Sequence, residues 1–371
     1  MKTKAAVVRE VGKPMEIEEL EVVAPGPGQV LVRFLYAGMC HSDVHIQHGD
    51  LPARLPMVMG HEGAGVIEEV GPGVTRVAVG DHIVCSFIPS CGTCHWCSTG
   101  QQPMCDMGAT ILEGYLPDGR FPLQGKGGED IGTMCMLGTF SQYGTVSEKS
   151  VVKIAEHLPM DKAVLVGCGV PTGWGAAVNA ANVRPGDTVI VAGIGGIGSN
   201  AVQGARMAGA KNLIAVDPLE NKRDFAKKMG ATHAFATMAE AADVAKADTN
   251  GNGAHHAILT AGLVTEELID EAFDATGKGS TIVIVGQNTL AERSVHVPGA
   301  IMTLYKKTIK GTNFGDCNPM TDINRLLGMY DAGDLILDEL ITRTYTLEEV
   351  NQGYDDLLAG KNIRGVIVHE H

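Results

Sequence analysis

From about residue 170 the chain alternates short apolar runs with amphipathic stretches. Residues 188–192 form a continuous apolar run, and 197–208 read as a helix rich in Ala, Val and Met. Residues 213–216 follow as the next strand and 221–229 as the next helix, and 256–260 and 281–285 continue the series. Apolar strands separated by helices predict a parallel sheet covered on both faces. Residues 1–150 have another texture. Short β-branched runs at 30–34, 65–70 and 82–86 are broken by Pro25-Gly26-Pro27-Gly28 and Gly71-Pro72-Gly73, and predict a mostly β region. From about 106 to 137 the pattern is loop-like. From about 320 it gives two helices and a final strand at 365–369, which could return to the first domain, a point periodicity leaves open.

There is no internal repeat or low-complexity segment. With 371 residues, two domains are the natural expectation. The 48 glycines are nearly twice the usual ~7% and follow no collagen-like period, so they point to tight turns and close backbone approaches. Asp and Glu number 43 against 29 Lys and Arg, with no basic run. That balance argues against nucleic acid or an anionic membrane as partner. Met1-Lys2-Thr3-Lys4 opens a segment without an apolar signal core, and no stretch approaches 18 apolar residues, so a cytosolic protein is expected. Nine cysteines are then metal ligands, catalytic groups or core fillers rather than disulfides.

Cys91, Cys94, Cys97 and Cys105 give C-x2-C-x2-C-x7-C, four thiolates able to wrap one tetrahedral zinc. The first three also match a ferredoxin iron–sulfur spacing. The fourth comes four residues too late for it, and Asp106 follows where that pattern has Pro, which favours zinc. A second, scattered set is Cys40, His61 and Cys168. Two thiolates and an imidazole would leave a fourth position open, as a catalytic zinc requires. The plainer alternatives are a solvent-facing His61 and a Cys168 buried in an apolar turn. Asp43 and Glu62 are carboxylates suited to orienting His61, and Ser42 and His45 could pass a proton outwards. Third, Gly193-Ile194-Gly195-Gly196-Ile197-Gly198 fits G-x-G-x-x-G between an apolar strand and a helix, which is the context of a pyrophosphate cradle. Asp217 ends the next strand, where a carboxylate would accept from a ribose 2′-OH and favour NAD over NADP. The alternative is an ordinary strand-to-helix turn with a solvated Asp.

Together these residues resemble the zinc-containing medium-chain alcohol dehydrogenases over essentially the whole chain. Gly60-His61-Glu62-Gly63-Ala64-Gly65, then Val70-Gly71 and Gly80-Asp81, and Gly167-Cys168-Gly169 ahead of Thr172-Gly173, carry the resemblance. It implies an α/β fold: a GroES-like β-rich catalytic domain (1–169 and 314–371) interrupted by a doubly wound, parallel-sheet Rossmann domain (170–313). It implies two zinc ions per subunit, one catalytic on Cys40, His61 and Cys168 and one structural on the four clustered cysteines. Ser42 and His45 would form the proton relay, Asp43 and Glu62 would support the ligands, and Phe87 would wall the substrate pocket. NAD would contact residues 193–198 (Gly193, Gly195, Gly196, Ile197 and Gly198 among them), Thr172, Asp217, Lys222 and Arg364. His41 stands where several relatives carry Arg for a phosphate contact.

Residues 107–137 resemble the liver-type branch. Residues 49–56 (GDLPARLP) and 168–175 (CGVPTGWG) look like bacterial nicotinoprotein alcohol dehydrogenases, assayed with an artificial nitroso acceptor. In that group NAD(H) stays bound and an external carrier or second substrate reoxidises it. The expected substrate is a small alcohol or aldehyde, and the expected assembly a homo-oligomer. The rival reading within the family is a thiol-dependent formaldehyde dehydrogenase, with Arg120 and Lys126 as anchors for an adduct's carboxylates. A polyol or threonine dehydrogenase fits the long loop less well. Outside catalysis, the rival is a zinc- and nucleotide-binding structural protein. Cys85, Cys135 and Cys317 are expected as buried small hydrophobes, and His369-Glu370-His371 as a solvated terminus.

Overall fold

The computed structural model describes residues 1–287 and 295–371. The chain divides into two compact units, Met1–Cys168 with Asn318–His371, and Gly169–Cys317.

In the first unit, Lys2–Val8, Glu16–Val22, Leu123–Gln124, Asp130–Thr133 and Met57–Val58 close a small barrel. The barrel strands within 107–137 were not expected from sequence. Runs of two and four residues are too short to show a period of two. Beside the barrel lies a seven-stranded sheet centred on Gln29–Gly38. Phe34, Val30 and Val32 of this strand pack with Ile67, Ile83 and Val146, while Leu31 packs into the barrel with Val7 and Val58. With both faces covered, the strand is buried over most of its length.

The final strand, Arg364–Val368, does return to this unit. It pairs antiparallel with Gln29–Gly38, setting Ile367 opposite Ala37. Ile341–Tyr345 adds a parallel edge strand that the hydrophobic pattern did not give, because its middle residues, Thr342, Arg343 and Thr344, are polar and exposed. At the terminus Glu370 and His371 are exposed, as expected, but His369 is not. His369 is buried and donates from Nε2 to the Thr139 carbonyl at 2.9 Å, and His371 donates to the Phe34 carbonyl at 2.8 Å.

The second unit is a six-stranded parallel sheet ordered His233–Phe235, Asn212–Val216, Thr188–Ala192, Ala254–Leu259, Thr276–Ile284, Thr308–Gly311. In chain order that is 3-2-1-4-5-6, the doubly wound arrangement whose ligand crevice opens where the order reverses, past the carboxyl ends of Thr188–Ala192 and Ala254–Leu259. Both Thr188–Ala192 and Asn212–Val216 are wholly buried, as continuous apolar runs between helical layers must be. Among the described residues no single helix is long and apolar enough to cross a membrane.

Candidate active site

Residues 91–105 bring four sulfurs together with very little regular structure. All four lie within 4.8 Å of one another, Cys91 Sγ 3.8 Å from Cys97 Sγ and Cys94 Sγ 4.0 Å from Cys105 Sγ. Two thiolates bound tetrahedrally to one zinc at about 2.3 Å stand about 3.8 Å apart, so the cage has the size of a single ion. Backbone N–H groups already point at the sulfurs: Thr93 and Cys94 donate to Cys91, Cys97 to Cys94, and Cys91 to Cys105. Burial works against ionisation of Cys91, but these donors draw its thiol down to about 6.

The second cluster joins three distant segments. Cys40 follows the strand Gln29–Gly38 and caps the helix His41–His48. Asp43, fully buried in the first helical turn, accepts from the Cys40 N–H at 3.1 Å, the Gly60 N–H at 3.2 Å and His61 Nδ1 at 3.3 Å. One carboxylate thus ties the Cys40 turn to the His61 turn. With Nδ1–H committed to Asp43, the free lone pair of His61 is on Nε2. Gly60 has φ +86°, and a Cβ there would stand 2.5 Å from the Phe140 ring, so the close turn before His61 needs glycine. Cys168 arrives on the turn after Gly167, whose missing side chain lets the backbone lie against the Cys85 carbonyl.

Donor atoms of Cys40, His61, Glu62 and Cys168 lie within 4.8 Å of one another, and all four residues are buried. His61 is not solvent-facing. The Cys168 thiol donates to Cys40 and, with His61 beside it, holds Cys40 well below the ordinary thiol range against the cost of burial. Glu62 pairs with buried Arg364, and Gly38 leaves the space its carboxylate fills. Burial pushes Glu62 up to about 7 against the pull of Arg364, and its Oε1 has no hydrogen-bond partner. Soft, desolvated sulfur and nitrogen donors with a carboxylate at hand are a fitting set for zinc.

Around this cluster, Ser42 Oγ lies 3.7 Å from Cys40 Sγ, and Phe87 stands edge-on to the His61 ring with centroids 5.8 Å apart. His45 is buried, and its Nδ1 bonds Asp50 Oδ2 at 3.0 Å. Asp50 was not singled out from sequence; its only signal is a carboxylate just past the helix end that carries His45. His41 is 5.8 Å from the His45 ring, and burial pushes its pKa down. Arg120 is spent on Asp118 and Gln29, and Lys126 lines a separate groove with Glu18, Glu19 and Glu21. Cys85, Cys135 and Cys317 are buried.

In the other unit, the glycine turn follows Thr188–Ala192 and opens the helix Gly196–Met207. Gly193 has φ +92°, and a Cβ on Gly198 would stand 1.9 Å from the Gly193 carbonyl. Gly195 faces open space and no side chain caps the helix, so its first N–H groups are free to receive an anion. Asp217 braces the turn by accepting from the Ile194 N–H at 2.8 Å and the Leu219 N–H at 2.9 Å. Lys222 is buried near it; burial lowers its pKa and Asp217 opposes the shift. Thr260, a brace the sequence did not reveal, donates to the Gly193 carbonyl at 2.6 Å. Thr172 is buried in Gly169–Gly175, where Gly173 lets that helix touch Ile197.

A doubly wound nucleotide sheet and a buried Cys-His-Cys cluster define a metal-dependent dehydrogenase. Two family models match, an alcohol dehydrogenase GroES-like domain over residues 26–156 and a zinc-binding dehydrogenase over 196–329. The chain is 58% identical to an NDMA-dependent alcohol dehydrogenase of Amycolatopsis methanolica, covering 100% of this chain and 99% of that one. It is 36% identical to the S-(hydroxymethyl)glutathione dehydrogenase of Paracoccus denitrificans over the full length of both. The structure of benzyl alcohol dehydrogenase from Acinetobacter calcoaceticus superposes with a TM-score of 0.91 at 30% identity, also over the whole of both chains. This chain therefore belongs to the zinc-containing medium-chain alcohol dehydrogenase family.

Proposed function

We propose that the protein oxidises a small primary alcohol to its aldehyde, and runs the reverse reaction, by hydride transfer to NAD at a zinc centre on Cys40, His61 and Cys168. The observation that carries this reading is the buried convergence of two thiols and an imidazole, with Asp43 behind the imidazole. In this reading Cys91, Cys94, Cys97 and Cys105 hold a second, structural zinc. Met1–Cys168 with Asn318–His371 is the catalytic domain, and Gly169–Cys317 the NAD domain.

When bound, zinc supplies the Lewis acidity that eases loss of a substrate hydroxyl proton, and the nicotinamide accepts the hydride. The rest is the chain's own work. Ser42 would relay the substrate proton, giving up its own hydroxyl proton as it accepts, and His45, oriented by Asp50, would pass a proton outwards. Phe87 offers the substrate an apolar wall. The free N–H groups at Gly196–Met207 receive the pyrophosphate, with Thr172 of the same unit as a further contact. The Asp217 carboxylate, with Lys222 beside it, accepts from the adenosine ribose and repels a 2′-phosphate.

Similarity to the NDMA-dependent enzyme supports a nicotinoprotein, in which NAD(H) stays bound and an external carrier reoxidises it. We place it in the cytosol as a homo-oligomer. The test is to gel-filter the purified protein, add a primary alcohol without NAD, and follow the absorbance of reduced nicotinamide. An immediate rise of about one equivalent per subunit is expected. No rise until NAD is supplied, then steady turnover, would make this an ordinary exchanging dehydrogenase. No rise in either case would sink the alcohol reading.

A further inference from the structure

The three bonds that Asp43 accepts, at 3.1–3.3 Å, are long for a charged acceptor. Two land on Oδ1 and one on Oδ2, so the carboxylate has capacity for a further donor. The helix Val350–Leu358 packs through Val350 and Tyr354 into the core that holds Met39, Val44 and Phe140. A Cβ on its Gly353 would stand 2.4 Å from Met39 Cε, so the helix backbone rests directly on the residue before Cys40. The next residue, Tyr354, is buried with its ring 6.2 Å from that of Phe140, the residue packed on Gly60. Its hydroxyl has no partner in bonding geometry. Burial, and after it the charge of Asp43, hold this phenol well above its ordinary range, so it is a neutral donor at any working pH. A phenylalanine would fill the same volume without burying an unpaired hydroxyl, so the oxygen calls for an acceptor.

We propose that Tyr354 is a positioning residue for the catalytic metal: its hydroxyl donates to Asp43, the carboxylate that orients His61 and ties down the Cys40 turn. Removing the hydroxyl leaves the carboxylate freer to rotate, and the imidazole with it. The inference rests on the reading of Cys40, His61 and Cys168 as zinc ligands.

The test uses full-length, zinc-loaded protein transferred into an excess of a chromogenic chelator. Wild type should release two zinc ions in two kinetic phases, the cage of residues 91–105 serving as an internal standard. In Tyr354→Phe one phase should quicken ~10-fold, the low end for groups behind a ligand, and the other should not move. In an Asp43→Asn background, Tyr354→Phe should change release by less than about two-fold, since the coupling passes through that carboxylate. Wild-type rates for both phases in Tyr354→Phe would overturn the proposal. So would equal acceleration of both, or an undiminished effect in the Asp43→Asn background. Wild-type protein that takes up only one zinc would instead remove the catalytic-site reading, and this one with it.

Discussion

His369 closes the last strand with an imidazole that has no room for a charge. One nitrogen donates to Thr139, the other has no partner, and burial pushes its pKa from 6.5 down to about 4. The unfolded chain takes up this proton near pH 6.5 while the native protein resists until about pH 4. Between those values the unfolded state binds more protons, so native stability falls as pH falls. The contribution is whole above pH 6.5 and is lost as pH drops towards 4, about 2 kcal/mol of it by pH 5. His369→Gln keeps a donor for Thr139 but no titration. Urea midpoints at pH 7.5 and 5.0 should show wild type losing about 2 kcal/mol more than the variant. Equal losses would mean that His369 protonates freely in the native state. None of this was legible in the sequence. A terminal His-Glu-His has no periodicity, and the burial of His369 is decided by pairing of the last strand with Gln29–Gly38, more than 300 residues earlier.

Residues 91–105 are an element that only their ligands can hold. Their regular structure is a four-residue helix and a three-residue turn, and their apolar support is little more than Ile88, Phe87 and Met107 around the sulfurs. So small a core cannot offset the entropy of ordering the segment. Cys94→Ser should therefore lower zinc content from two ions per subunit to one. It should drop the calorimetric midpoint by about 10 °C, from roughly 3–5 kcal/mol at 2–4 °C each. Unchanged zinc content and midpoint would remove the structural ion. This element could be read from spacing because its donors lie within fifteen residues of one another. The other cluster was readable only as one candidate beside plainer ones, since Cys40, His61 and Cys168 meet only once their sheet has formed; the family resemblance chose between them. Tyr354 and Asp50 were legible by neither route. Each acts through a partner that only the packing of a helix, or the turn after one, brings near.

Across the whole molecule, fourteen excess negative charges oppose the binding of a dinucleotide, itself an anion. The attraction has to be local, from the open N-terminus of Gly196–Met207 and from nearby cations, against Asp217 as a fixed negative charge at the ribose end. That arrangement has a thermodynamic signature. A ligand that binds only the native state stabilises it by about 2.7 kcal/mol at a hundred times its dissociation constant, worth roughly 5–10 °C here. If the protein is purified with its cofactor in place, added NAD should not move the melting midpoint. Stripping the cofactor should lower the midpoint by that amount, and NAD but not NADP should restore it, because the 2′-phosphate would face Asp217. Purified protein that gains as much from NAD as stripped protein does would show a freely exchanging cofactor. Restoration by NADP would instead mean that Asp217 braces the glycine turn without selecting the nucleotide.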